Sequence, residues 1–252
     1  MINTVKRVFV WVLVAVGLFG VLIGVEVFMA TRREYLPTEP ALEIGGVFGK
    51  KGPVKELVVL GDSTGAGVGA ESASGAYATV MAERLAAETG SRIRLTGLAV
   101  SGARVADVLK EQVPLALAEE ADVYLVAIGA NDVTHLTKIS EVRDGIARIV
   151  GRLSGDGSEV VVAGAPDMRA PAFAEPLRSI VGWRGRAVTA ATEEAARAGG
   201  ATVVPLAERT REFFLEDPDA HYSPDLFHPS AGGYARWADA LYPEVKEALA
   251  SS

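Results

Sequence analysis

The longest apolar stretch of the chain comes first. Val8 to Val25 carries no charge, Val27-Phe28-Met29-Ala30 continue it past Glu26, and Lys6, Arg7, Arg32 and Arg33 flank it. A run of at least about 18 apolar residues is long enough to cross a bilayer as a helix. The competing reading is a cleaved secretory signal, whose apolar region is roughly 7 to 15 residues and ends at a small-residue site. This run is longer and contains no A-x-A sequence. The expected organisation is therefore a short basic N-terminus (1–7), a transmembrane signal-anchor helix (8–30), a stem (31–53) and a single domain (54–252). Glu26 falls near the end of the span, where its carboxylate is expected to reach the interface rather than relay protons. Basic residues at both ends nearly cancel the positive-inside bias. A short basic N-terminus before one span and one domain favours a single-pass protein of the cell membrane with its domain outside the cytoplasm. Pro37, Pro40 and Pro53, with several glycines and no periodicity, suit a stem that holds the domain off the bilayer.

Beyond residue 53 the pattern changes to short apolar runs separated by amphipathic segments. Leu57-Val58-Val59-Leu60, Ile93-Arg94-Leu95, Val123 to Ile128, Val160 to Ala163 and Thr202-Val203-Val204 predict five strands. Several lack polar alternation, as strands buried on both faces of a parallel sheet do. Tyr77, Val80, Met81 and Leu85 share a helical face, as do Ile139, Val142, Ile146, Ile149, Val150 and Leu153. Two more helices are expected over about Leu177 to Ala198 and Ser230 to Leu249. This alternation predicts an α/β sandwich around a mainly parallel sheet.

Charge and composition narrow the partners. The first 53 residues carry two more basic than acidic side chains, so the −7 of the whole chain leaves −9 for the domain. An acidic domain is a poor ligand for nucleic acid. There are no cysteines, hence no disulfide framework, cysteine nucleophile or thiolate metal site. Three histidines and no HExxH sequence leave thin support for a metal-dependent hydrolase, although Asp62, Asp132 and Asp167 are available. For Asp62 and Asp132 the plainer expectation is hydrogen bonding that braces their loops.

Open parallel sheets place functional residues beyond the carboxyl ends of their strands. Ser63 follows the first predicted strand, Gly102 the second and Asn131 the third; Asp225 and His228 follow the fifth. Those positions should crowd one edge of the sheet. A serine hydroxyl needs an imidazole to take its proton, and an aspartate three residues before a histidine can orient that imidazole. His228 has such a partner in Asp225, while His135 and His221 are expected at the surface. The Asn131 amide and the backbone N–H groups of Gly102 and Ser63 are candidate donors to a developing oxyanion. Gly65, Gly67 and Gly69 also fit a degenerate GxGxxG/A pattern. They start several residues after the strand, however, and no acidic residue ends the second strand to hold a ribose.

Taken in order, Gly61-Asp62-Ser63, Ser101-Gly102, Gly129-Ala130-Asn131-Asp132 and Asp225-Leu226-Phe227-His228 resemble the four blocks of the SGNH, or GDSL, hydrolases, over roughly Leu57 to Leu241. The resemblance implies a flavodoxin-like, three-layer α/β/α fold. It also implies Ser63 as nucleophile, His228 as base and Asp225 as its partner, with Ser63, Gly102 and Asn131 forming the oxyanion hole. It implies an ester substrate, lipid or acylated carbohydrate, and no cofactor or metal. Two departures stand out: Thr64 where leucine is frequent in the family, and Gly97 where an asparagine is often found. The expected function is a membrane-anchored serine esterase or lipase. A carbohydrate O-acetylesterase, an acyltransferase on envelope glycans or lipids, and a non-catalytic envelope binding module are the alternatives. Gly164 to Trp183, with Met168, Phe173, Trp183, Arg169 and Arg178, reads equally as a segment that lines or covers the site and as an ordinary surface connection with packed aromatics. An apolar lining there would favour an acyl chain.

Overall fold

The computed structural model describes residues 2–39 and 41–252, without the side chains of Ile2, Asn3, Val5 and Asp156. Met1 of the basic N-terminus and Pro40 of the expected stem lie outside the described residues.

All five expected strands form: β2 (Val54–Gly61), β3 (Arg92–Gly97), β4 (Val123–Ala127), β5 (Glu159–Ala163) and β6 (Thr202–Val204). They pair in parallel in the order β3-β2-β4-β5-β6, the flavodoxin-like arrangement. A sixth strand, β1 (Gly45–Phe48), departs from the expectation. It lies within the segment read as stem and pairs antiparallel with β3, so that Gly45 faces Thr96 and Phe48 faces Ile93. A four-residue strand of two glycines, a valine and a phenylalanine carries too little pattern to stand out from a linker. Its place is set by the open edge of β3.

Successive side chains of a strand point to opposite faces, and the buried strands follow this rule. Leu57 and Val59 join one core with Tyr77, Met81, Tyr234, Trp237 and Leu241, whereas Val58 and Leu60 join the other with Val126, Ile146, Ile149 and Val188. Both faces are therefore filled, which is why β2 and β4 read as continuous apolar runs. Helices α2 (Tyr77–Thr89) and α10 (Ala231–Ser251) supply the first face. The second is covered by α6 (Ile139–Leu153), by α7 (Leu177–Ala198) and by a segment running from α3 (Val105–Asp107) through a π turn to α4 (Val113–Ala116). Short α5 (Ala130–Thr134) follows β4; α8 (Leu206–Glu216) and α9 (Pro218–His221) follow β6.

Helix α1 (Ile2–Arg32) includes the basic N-terminus as well as the apolar run. Its most apolar 18 residues have a mean hydropathy of 2.8, and from Lys6 to Arg32 it is long and apolar enough to cross a membrane. Val8 to Val25 is largely exposed, but Glu26 is buried. Its carboxylate does not face an interface. Oε2 accepts the N–H of Leu177 at 2.8 Å, capping the first turn of α7, where unpaired amides and the helix dipole favour an anion.

Candidate active site

The site lies where the sheet order reverses, between β2 and β4. β2 ends at Gly61, whose N–H and C=O are both held by the buried Gln112 side chain, at 2.9 and 2.8 Å. Gln112 closes the π turn on the covering helical segment. Sequence reasoning missed it, because a glutamine after an apolar-periodic stretch gives no sign that it points inward. Beyond Gly61, the Asp62 carboxylate accepts the Thr64 N–H at 3.0 Å and its hydroxyl at 2.8 Å. Burial pushes the Asp62 carboxyl up, and these two bonds from Thr64 act against it. Thr64 thus supplies a hydroxyl that leucine lacks, giving the first departure from the family pattern a local use.

This turn presents the buried Ser63 to the loop between β6 and α10. His228 Nε2 lies 3.1 Å from Ser63 Oγ, and His228 Nδ1 lies 2.6 Å from Asp225 Oδ2. Burial works against ionisation of Asp225. The hydrogen bonds from the His228 ring and from the His228 and Phe227 amides outweigh it and hold the carboxyl well below the usual range. An ionised carboxylate only accepts, so Nδ1 carries the hydrogen and the Nε2 lone pair receives the Ser63 O–H. Ser223 Oγ adds a further bond to Asp225 Oδ1 at 2.9 Å. Gly69 lets the serine turn approach this loop, since a Cβ there would lie 2.2 Å from the Pro229 carbonyl oxygen. The third glycine of the GxG-like run therefore serves loop packing.

Asn131, in α5 just beyond β4, lines the same recess as Ser63 and His228. Its Nδ2 donates to the Ala103 carbonyl at 3.0 Å, tying it to the exposed Gly102 turn after β3. The recess is walled by Met168, Ala170, Phe214, Tyr222, Phe227 and Trp237, with Asp167 and Arg211 also contributing. Met168 from the Gly164 to Trp183 segment thus lines the recess. Phe173 instead packs behind it, 5.8 Å from the Phe227 ring, and Trp183 is exposed.

The remaining candidates fall outside the relay. His135 is exposed on its own helix turn, as expected, its Nδ1 against the Asn131 carbonyl. His221 is not at the surface. It is buried 5.5 Å from the Phe214 ring with Nδ1 on the Asp217 carbonyl, because the acidic loop folds into the one-turn helix α9. Asp132 accepts the Val105 N–H at 3.0 Å, bracing its loop, and Asp167 is engaged by Arg169. Among the described residues, no three His, Asp or Glu side chains cluster as a metal site. At Gly97 a Cβ would lie 2.5 Å from the Ile44 carbonyl oxygen. The chain leading into β1 occupies the space an asparagine would need, which accounts for the second departure.

A family model, the GDSL-like lipase/acylhydrolase family, matches residues 59–236. A GDSL-like esterase of Mycobacterium tuberculosis (strain ATCC 25618 / H37Rv) is 35% identical over 195 residues, 77% of this chain and 62% of that protein. The chain therefore spans less than two thirds of that relative. Among solved structures, TesA aligns with a TM-score of 0.62 at 22% identity, covering 77% of this chain and 99% of the other. A variant of the acetyl xylan esterase Axe2 from Geobacillus stearothermophilus aligns at 0.61 and 20%, covering 79% and 96%. At these identities the structural likeness is one of fold.

Proposed function

This chain belongs to the GDSL-like lipase/acylhydrolase family, and from that premise we propose that it is a membrane-anchored serine ester hydrolase acting outside the cytoplasm through Ser63, His228 and Asp225. The carrying observation is the continuous relay from Asp225 through His228 to Ser63, at 2.6 and 3.1 Å, beside an apolar recess.

In this reading Ser63 Oγ attacks the ester carbonyl carbon while His228 Nε2 takes its proton. Asp225 holds the ring and stabilises the imidazolium. The carbonyl oxygen becomes an oxyanion, received by the N–H groups of Ser63 and Gly102 and by the Asn131 amide. The intermediate collapses, breaking the carbon–oxygen bond, and His228 gives its proton to the departing alcohol. Water then attacks the acyl-serine with His228 again as base, releasing the acid and restoring Ser63.

The lining of Met168, Phe214, Phe227 and Trp237 favours an apolar acyl group over a bare acetyl on carbohydrate. Each methylene it buries is worth about 0.8 kcal/mol. Ser63→Ala should abolish both ester cleavage and labelling by a serine-directed phosphonate while the fold is retained. Turnover surviving that substitution sinks the assignment. An ester series from acetyl upward should show rising kcat/KM as methylenes are added, and a maximum at acetyl would favour the carbohydrate reading. Absence of turnover and labelling across that series in the unsubstituted protein would favour a binding module.

A further inference from the structure

The segment leaving the apolar helix does not hang free between anchor and domain. The Glu26 carboxylate fixes the helix to the start of α7, and Ala30 packs on Phe173 and Leu177. Three residues later the Arg33 Nε donates to the Asp225 carbonyl at 3.0 Å, and the Leu36 N–H donates to Asp225 Oδ2 at 3.3 Å. That is the oxygen which also receives His228 Nδ1. The other donors on this carboxylate, among the described residues, all come from its own loop, residues 223–228. Between these contacts, the Tyr35 ring meets the edge of Phe227 at 5.4 Å, and Phe227 in turn meets His228 at 5.1 Å.

The loop has reason to need outside support. Leu226, between Asp225 and His228, has φ +59°, a region that a side chain disfavours. Such residues persist where the surroundings over-determine them. Part of that determination comes from the Ala172 N–H on the Leu226 carbonyl, and part from Arg33 and Leu36. A base held within a few tenths of an ångström depends on this kind of supporting layer.

We propose that Arg33 and Leu36 are positioning residues for Asp225, so that the arm leaving the anchor helix is a working part of the hydrolytic site and not a spacer. The proposal rests on the ester-hydrolase reading for its kinetic consequence. Its geometric content has a readout of its own.

The test uses the full-length protein in detergent micelles. Arg33→Ala and Leu36→Pro, the latter removing the donating N–H, should lower kcat by about tenfold to a hundredfold with KM within about twofold, the scale of a small misplacement of a catalytic group. Arg33→Lys, which retains a donor, should recover much of the loss. Arg32→Ala, at a neighbour stacked on Phe28, should change nothing. Independently of turnover, the downfield His228 Nδ1–H proton signal should shift or broaden in Arg33→Ala and Leu36→Pro while remaining in Ser63→Ala. If both arm variants keep that signal and kcat, the proposal is overturned. It is equally overturned if Arg33→Ala loses activity only in proportion to a lowered Tm, without rescue by lysine. Loss of the signal in the arm variants of a protein without ester turnover would support the positioning role while removing the ester-hydrolase reading.

Discussion

Replacing Asn131 by alanine separates transition-state stabilisation from architecture. Among the described residues the amide makes one hydrogen bond, Nδ2 to the Ala103 carbonyl. Losing a bond of that kind costs about 1 kcal/mol of stability, or roughly 2–4 °C in Tm for a domain of this size. Losing one oxyanion donor raises the barrier by about 2.7–4 kcal/mol, a factor of roughly 10² to 10³ in kcat. The two effects are far enough apart to be told apart. The donor matters more to the oxyanion than to the neutral carbonyl, so KM should change little. Steady-state kinetics on a soluble chromogenic ester, together with a melting curve, measure both quantities on one preparation. A variant whose kcat stays within about tenfold of the parent would refute the assignment of Asn131 to the oxyanion hole. A Tm loss many times the expected few degrees would mean that the residue acts mainly as a brace between the two strand ends.

Two further outcomes follow from buried and exposed polar networks. Gln112→Leu leaves the N–H of Gly61 without its side-chain partner, at about 1–3 kcal/mol for an unsatisfied group, while the C=O keeps the Val100 N–H at 3.2 Å. The denaturant midpoint should fall accordingly, and an unchanged midpoint would deny Gln112 its pinning role. Glu88 is held down to about 2 by hydrogen bonds from Tyr242, Arg84 and Lys246. Its contribution to stability is therefore present above about pH 4.5, the ordinary value, and is lost as the pH falls through about 2. The Tm difference between the parent and Glu88→Gln should be small, shrink with salt because the network is exposed, and close by pH 2. A difference that persists undiminished at pH 2 would contradict the cause assigned to the shift.

The parallel strands were legible because burial on both faces leaves an unbroken apolar run, as Val123 to Ala127 does. The long amphipathic helices were legible from their spacing. The edge strand β1 was not, since four residues at a sheet margin are recruited by the open side of β3. The proposed site residues were readable as a set because Ser63, Gly102, Asn131 and the Asp225 to His228 pair each follow a strand. What surrounds them was not readable. Gln112, Ser223, Arg33 and Leu36 act through positions fixed only when distant segments meet, and a backbone N–H such as that of Leu36 carries no residue signature. His221 was misplaced for a related reason: its acidic, aromatic neighbourhood looks solvent-facing until Phe214 folds over it.

The Ser63 to His228 contact joins groups 165 positions apart, with most of the sheet between them. A ribosome makes Ser63 early and His228 late. A growing chain therefore carries Ser63 without His228 beside it until β6 and the following loop have been made and docked. Contacts of such long range also form late in folding, after local helices and neighbouring strands. Under the proposed hydrolase reading, the relay is consequently absent during synthesis, and its formation reports completion of the whole domain.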